Sequence, residues 1–215
     1  MVDYIRDEEE QVELIKEWWQ KNGTATIITV VLAVAALIGW RQWQQHDAGQ
    51  SAAASAEYQQ MVESLQALSP GQDAGPVADR AATLIEDYPS SSYADYARLV
   101  QARLAVDKGD FKAAVEPLTR VADKGATDAL QYTAQLRLVR VLLQQQAYDE
   151  AEKRLQGSFP SAFNGMALEL KGDLAKARDN AQGARDAYAE ALDALQDGAE
   201  KDRVQMKLDD LKSAS

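Results

Sequence analysis

Cysteine is absent from this 215-residue chain and histidine occurs once, as His46. Without a thiol there is no disulfide, no zinc-thiolate site and no cysteine nucleophile. One imidazole builds neither a histidine-based triad nor a histidine-cluster metal site, and the lack of cysteine suits an oxidising compartment. Basic residues are also short: 23 Lys and Arg face 34 Asp and Glu, a net charge of -11. The basic face that nucleic acid demands is therefore missing, and an anionic lipid surface would repel the chain. Phosphate-binding glycine loops are lacking too. The acids are scattered: Asp209-Asp210 and the Asp107 to Asp110 stretch read as solvated helix ends, and neither has the ligand pattern of a calcium loop. These absences point away from an enzyme and imply no cofactor and no metal.

What the chain does have is one long uncharged run. Asn22 to Trp40 is nineteen residues without a charge, framed by Lys21 and Arg41. A hydrocarbon core of about 30 Å needs about 20 helical residues at 1.5 Å each, so the run predicts a transmembrane helix over 22–41. All four tryptophans gather at its ends, Trp18 and Trp19 before it and Trp40 and Trp43 after. Indole favours the headgroup layer, so Trp18, Trp19, Lys21, Trp40, Arg41 and Trp43 are the expected membrane-interface anchors. The rival is a cleaved signal peptide ending near Ser51 to Ala56. The preceding segment is Glu-rich rather than short and basic, and the small residues lie too far past the run, so an uncleaved signal anchor is the better reading. Arg6, Lys16 and Lys21 precede the span whereas only Arg41 follows it closely, which predicts a cytoplasmic N-terminus. Within the span, Ala25, Thr29 and Ala33 form a small-residue line that could pack against a partner helix, with plain lipid contact as the alternative.

Around the span, residues 1–21 form an acidic segment with apolar positions at helical spacing, either an amphipathic helix or a surface-lying cytosolic extension. Residues 42–75 read as a helical connector, with a break expected at Asp47-Ala48-Gly49, a first repeat helix at 57–68 and a loop from Ser69 to Pro76. Residues 76–215 show helical periodicity alone, punctuated by turn signals between Tyr88 and Gly198, and short loops force neighbouring helices antiparallel. The fold class is all-α: an N-terminal transmembrane helix followed by an α-solenoid of helical hairpins. Pro117, inside a predicted helix, should kink it. Ala199 to Lys212 reads as a terminal capping helix.

The hairpins repeat. Ala114, Ala151 and Ala184 are separated by 37 and then 33 residues, close to the tetratricopeptide period of about 34. Each is followed at the fourth and seventh residue by a small or apolar group: Leu118 and Val121, Leu155 and Ser158, Tyr188 and Ala191. Helices of about 10 to 18 residues are expected throughout. With Gly172, Ala184, Tyr188 and Ala191 in register, residues 172–191 resemble a tetratricopeptide repeat. In that family small residues let paired helices approach closely and an aromatic fills the gap beyond. Phe111 and Tyr148 match the aromatic that commonly opens the second helix; Ala181 does not.

The first helices of such repeats commonly line a peptide groove. Tyr96, Leu99, Arg103 and Val106 correspond to Thr133, Leu136, Arg140 and Leu143 at the 37-residue step, an apolar stripe with one arginine per hairpin. The third hairpin instead places Met166, Glu169, Asp173 and Lys176 there. Either Arg103 and Arg140 hold carboxylates or backbone carbonyls of an extended client, or the leucines are core and the arginines pair with nearby acids.

The order of parts, from acidic tail through a single anchor ending in Gly-Trp-Arg-Gln-Trp43 to a degenerate repeat domain, resembles the YfgM family of ancillary SecYEG translocon subunits. The resemblance implies a protein of the bacterial inner membrane with a periplasmic C-terminal domain. It also implies the SecYEG translocon and the membrane-anchored chaperone PpiD as partners, and emerging or unfolded polypeptides as clients passed on to periplasmic chaperones. The alternative function is a regulatory scaffold in an envelope stress response.

Overall fold

Residues 53–67 are the C-terminal part of a helix, α1, that runs from Asp3 to Ala67. The computed structural model describes residues 3–69, 71–196 and 198–213. The expected break at Asp47-Ala48-Gly49 does not occur: α1 passes through it. A single interior glycine costs only about 1 kcal/mol, and the Ala-rich, Pro-free sequence after it carries the helix on. The chain divides into two units, residues 1–52 and 53–215.

In the first unit the segment Val12–Gln42 is long and apolar enough to cross a membrane. Its large apolar side chains point outward, from Ile27 and Ile28 to Leu37 and Ile38. Thr29 Oγ1 donates to the Ala25 carbonyl at 2.9 Å, so the hydroxyl is satisfied within the helix. Gly23 leaves room for the Trp19 indole, which a Cβ would meet at 3.3 Å.

The second unit is built from hairpins. Residues 53–67 of α1 pack on α2 (Gly75–Asp87) and α3 (Ser92–Asp107), where Ala54, Met61, Val77, Ala81, Leu84, Ala97 and Leu104 form one buried cluster. Pro76 sits in the first turn of α2, where its missing N–H costs nothing. Helices α4 (Phe111–Lys124), α5 (Asp128–Gln144), α6 (Tyr148–Arg154) and α7 (Ser161–Ala177) follow, and residues of α3 to α7 share the largest apolar cluster. The last hairpin joins α7 to α8 (Ala181–Ala194), and α9 (Ala199–Ser213) packs on α8. Side chains at the entry of four helices accept a backbone N–H: Ser91 from Ala94, Asp110 from Ala113, Thr127 from Leu130 and Asn180 from Gly183, at 2.9 to 3.3 Å. Each satisfies an amide that the first helical turn leaves without a partner.

A repeat is written into the backbone as well as the side chains. The turns α3–α4, α5–α6 and α7–α8 each place one residue in the left-handed region: Gly109 at φ 76°, Gln146 at 60° and Asp179 at 59°. In each turn that residue and the next donate to the ends of the preceding helix. Gly109 and Asp110 reach Val106 and Ala105, Gln146 and Ala147 reach Leu143 and Leu142, and Asp179 and Asn180 reach Lys176 and Ala175. Only the first turn uses glycine, for which this conformation is unstrained; the other two hold it against the side-chain penalty through the same pair of hydrogen bonds.

Ala114, Ala151, Ala184, Tyr188 and Ala191 are all fully buried. Gly172 is buried too, and a Cβ there would lie 2.4 Å from the Tyr188 ring, so glycine is what admits the tyrosine beneath α7. One expectation needs correcting here. Helix α6 has seven residues rather than 10 to 18, ended by Gly157 at φ 92° and the imino Pro160, so Ser158 lies beyond it and is exposed. Pro117 lies inside helix α4, as the sequence reading placed it, and is buried.

Candidate partner-binding groove

Of the eight residues in the two matching stripes, four come together. Leu99, Arg103 and Val106 of α3 and Arg140 of α5 line one pocket of about 240 Å³, completed by Ala102, Leu118, Arg137 and Val141. The floor is aliphatic. Leu99 and Leu118 are buried, as core packing requires, while Val106 remains 36% exposed and Arg103 and Arg140 are exposed at the rim.

The other four stripe residues lie elsewhere. Leu136 is buried in the main core and Leu143 packs against it, so both leucines on α5 are core rather than groove surface. Thr133 is half-buried. Tyr96 is 40% exposed, but its ring stands 5.6 Å from Tyr58, which is itself 5.1 Å from Tyr93. That tyrosine cluster raises the Tyr58 pKa through burial first and then through its two neighbours.

Sequence periodicity overlooked Arg137. It lies three residues before Arg140, one helical turn away and off the 37-residue register, where the preceding hairpin has Val100. Its pKa is lowered by desolvation and then by repulsion from Arg140 and Arg103, the mark of three guanidinium groups converging. Arg103 has one carboxylate at hand, Asp107 at 3.6 Å, in an exposed pair of the kind that contributes little. Neither Arg137 nor Arg140 has an acidic partner among the described residues.

At the third hairpin the equivalent positions are occupied from within the chain. Glu169 of α7 is 2% exposed, and it accepts from Arg203 Nε and Nη2 at 2.8 and 2.7 Å and from Lys207 Nζ at 2.8 Å. Lys207 Nζ also reaches both oxygens of Asp173 at 2.7 Å, and Asp173 accepts the Tyr188 hydroxyl at 2.7 Å. Burial alone would raise the Glu169 carboxyl; the hydrogen bonds from Arg203 and Lys207 outweigh it and hold the group at about 2. Burial and the Asp173 bond both push the Tyr188 phenol up. A second buried acid, Asp95, ties α3 to the α4–α5 connection: it accepts from Ala126 N at 2.8 Å and from Arg98 at 3.1 Å.

Of the interface anchors, Trp18, Trp19 and Trp40 are exposed, Trp18 and Trp19 stand 6.3 Å apart, and Lys21 and Arg41 are exposed at the two ends. The Trp43 side chain lies outside the described residues. Ala25, Thr29 and Ala33 are all exposed along the apolar segment. Among the described residues no cluster of His, Asp or Glu is arranged to hold a metal ion.

A helical-hairpin array behind an N-terminal apolar helix defines a tetratricopeptide repeat-like protein, and the family model described as a tetratricopeptide repeat-like domain matches residues 16–213. The chain is 30% identical over 210 residues to a Haemophilus influenzae protein named ancillary SecYEG translocon subunit, covering 97% of this chain and 99% of that one. Escherichia coli strain K12 and Neisseria gonorrhoeae carry proteins of the same name, 29% and 30% identical and each covered over at least 98% of its length. The chain belongs to this tetratricopeptide repeat-like family of ancillary SecYEG translocon subunits. No solved structure matches it.

Proposed function

We infer that this protein is a non-catalytic, single-pass accessory of the SecYEG translocon that helps pass emerging polypeptides to periplasmic chaperones, with PpiD as its chaperone partner. The observation that carries this reading is similarity over nearly the whole chain to proteins named for that complex. The division of labour is 1–21 cytoplasmic, 22–41 in the membrane, 42–75 connecting, and 76–215 binding in the periplasm. Lys and Arg concentrated before the span support that orientation. The pocket at Leu99, Arg103, Val106 and Arg140 is the candidate client contact, and the Ala25, Thr29 and Ala33 face is the candidate contact for a partner helix.

Tethering makes weak binding sufficient. A site held by a short linker beside an exit pore meets its ligand at an effective concentration of about millimolar, so modest affinity gives high occupancy. Photocrosslinkers placed at positions 103, 140, 25 and 29 in native membranes test the reading. Crosslinks to translocating chains from 103 and 140, and to SecYEG or PpiD from 25 and 29, are expected; crosslinks to none of these partners from any position would overturn it.

A further inference from the structure

The C-terminal hairpin shows what a filled version of the groove position looks like. Glu169 and Asp173 stand one helical turn apart on α7 and are met by Arg203 and Lys207, which stand one turn apart on α9. Asp173 occupies the register position that Arg103 and Arg140 hold in the two preceding hairpins. The sign of charge is reversed there, and the complementary charges that satisfy it come from a helix of the same chain. Among the described residues no such segment reaches the α3–α5 pocket: Arg137 and Arg140 have no acidic partner there, and Arg103 is paired with Asp107 alone. Three guanidinium groups gathered over an aliphatic floor repel one another, and a ligand that brings a carboxylate to them relieves that repulsion.

We propose that the pocket between α3 and α5 selects peptide segments in which a carboxylate adjoins an aliphatic side chain, with Arg137 as the residue that sets the preference for acid. The carboxylate lies among Arg103, Arg137 and Arg140, where the planar guanidinium fork matches it bidentately, and the aliphatic group rests on Leu99, Val106 and Leu118. The lowered pKa of Arg137 accords with this, because a bound carboxylate removes the repulsion its two neighbours impose. The carboxylate is a Glu or Asp side chain within the segment, because the aliphatic floor beside the arginines calls for a neighbouring apolar residue on the same strand of peptide. The inference rests on the proposed reading of the groove as a client site.

The experiment uses the full chain in nanodiscs of zwitterionic lipid and measures fluorescence anisotropy of labelled peptides of equal length. One alternates Leu with Glu and Asp, a second replaces those acids by Gln and Asn, and each is made with an amidated and with a free C-terminus. The acidic amidated peptide is expected to bind about tenfold more tightly than its Gln and Asn counterpart, as a charge-assisted hydrogen bond implies, and to weaken as salt rises. Discrimination seen only between free and amidated C-termini would assign the carboxylate to the chain end and overturn the proposal. Arg137→Gln should abolish the discrimination and Arg137→Lys should retain part of it; the exposed position of Arg137 lets both variants fold. Equal binding of the two peptides, no binding of either, preference for phosphatidylglycerol vesicles over the acidic peptide, or unchanged discrimination in Arg137→Gln would each overturn the proposal. Crosslinks from positions 103 and 140 to translocating chains regardless of their acidity would leave the client-site reading intact while sinking this one.

Discussion

The α7–α9 end and the α3–α5 pocket are built on the same repeat, yet one is closed and the other open. At the closed end both acids at the groove positions of α7 have a cation: Glu169 is gripped by two, and Asp173 shares Lys207 while accepting the Tyr188 hydroxyl. At the open pocket three cations gather with one exposed acid, Asp107, paired to Arg103. The repeat supplies backbone and core packing in both places, and the sign of charge at one register position is what differs between them. Buried charge is tolerated only when fully paired, which is why Glu169 can be buried and why the arginines stay at the rim.

Breaking the closed end should have the largest effect. Tyr188→Ala removes a fully buried ring from between Gly172 and α9 and should cost about 3–5 kcal/mol, read by denaturant unfolding, with hydrogen exchange of α9 amides rising first. Glu169→Gln should cost about 2 kcal/mol near neutral pH, because Arg203 and Lys207 lose the charge they were placed to meet. The sign of its pH dependence follows from a folded pKa of about 2, below the ordinary 4.5. The stabilisation is complete above pH 4.5 and is lost as pH falls toward 2, so the native protein and the Glu169→Gln variant should converge in acid. A gap that stays constant from neutral pH to acid would show that the ion network is not the source. At the open end, Arg103→Gln with Arg140→Gln should shift unfolding by less than about 0.5 kcal/mol, since neither side chain is buried. A larger loss would make these arginines structural and erase the contrast between the two regions.

Much of the architecture was legible because helices announce their ends. Pro76, Pro89, Pro160, Gly109 and the Ser, Asp, Thr and Asn caps fall at the turns, and the spacing of Ala114, Ala151 and Ala184 reports the repeat directly. Local signals misled where a neighbouring preference was stronger. Gly49 looked like a break but lies in good helix-forming sequence, and the end of α6 depends on Gly157 and Pro160 acting together. The groove was only half legible. Reading by the 37-residue step found Arg103 and Arg140 and left Leu136 and Leu143 open between groove and core, where both in fact pack, and it passed over Arg137 because nothing in the preceding hairpin echoes it. The partners of Glu169 lie 34 and 38 residues away on α9, a pairing that no local pattern encodes.

The sign reversal at Asp173 also bears on how the chain reaches its native state. Helix α9 is the last of the described helices in chain order, and when it docks, the aliphatic surface of the α3–α5 pocket is another apolar place to land. Arg203 and Lys207 would there meet Arg103, Arg137 and Arg140 and be repelled, whereas on α7 they meet Glu169 and Asp173. For those two cations the charge at one register position therefore favours α7 over the arginine-lined pocket as the docking site.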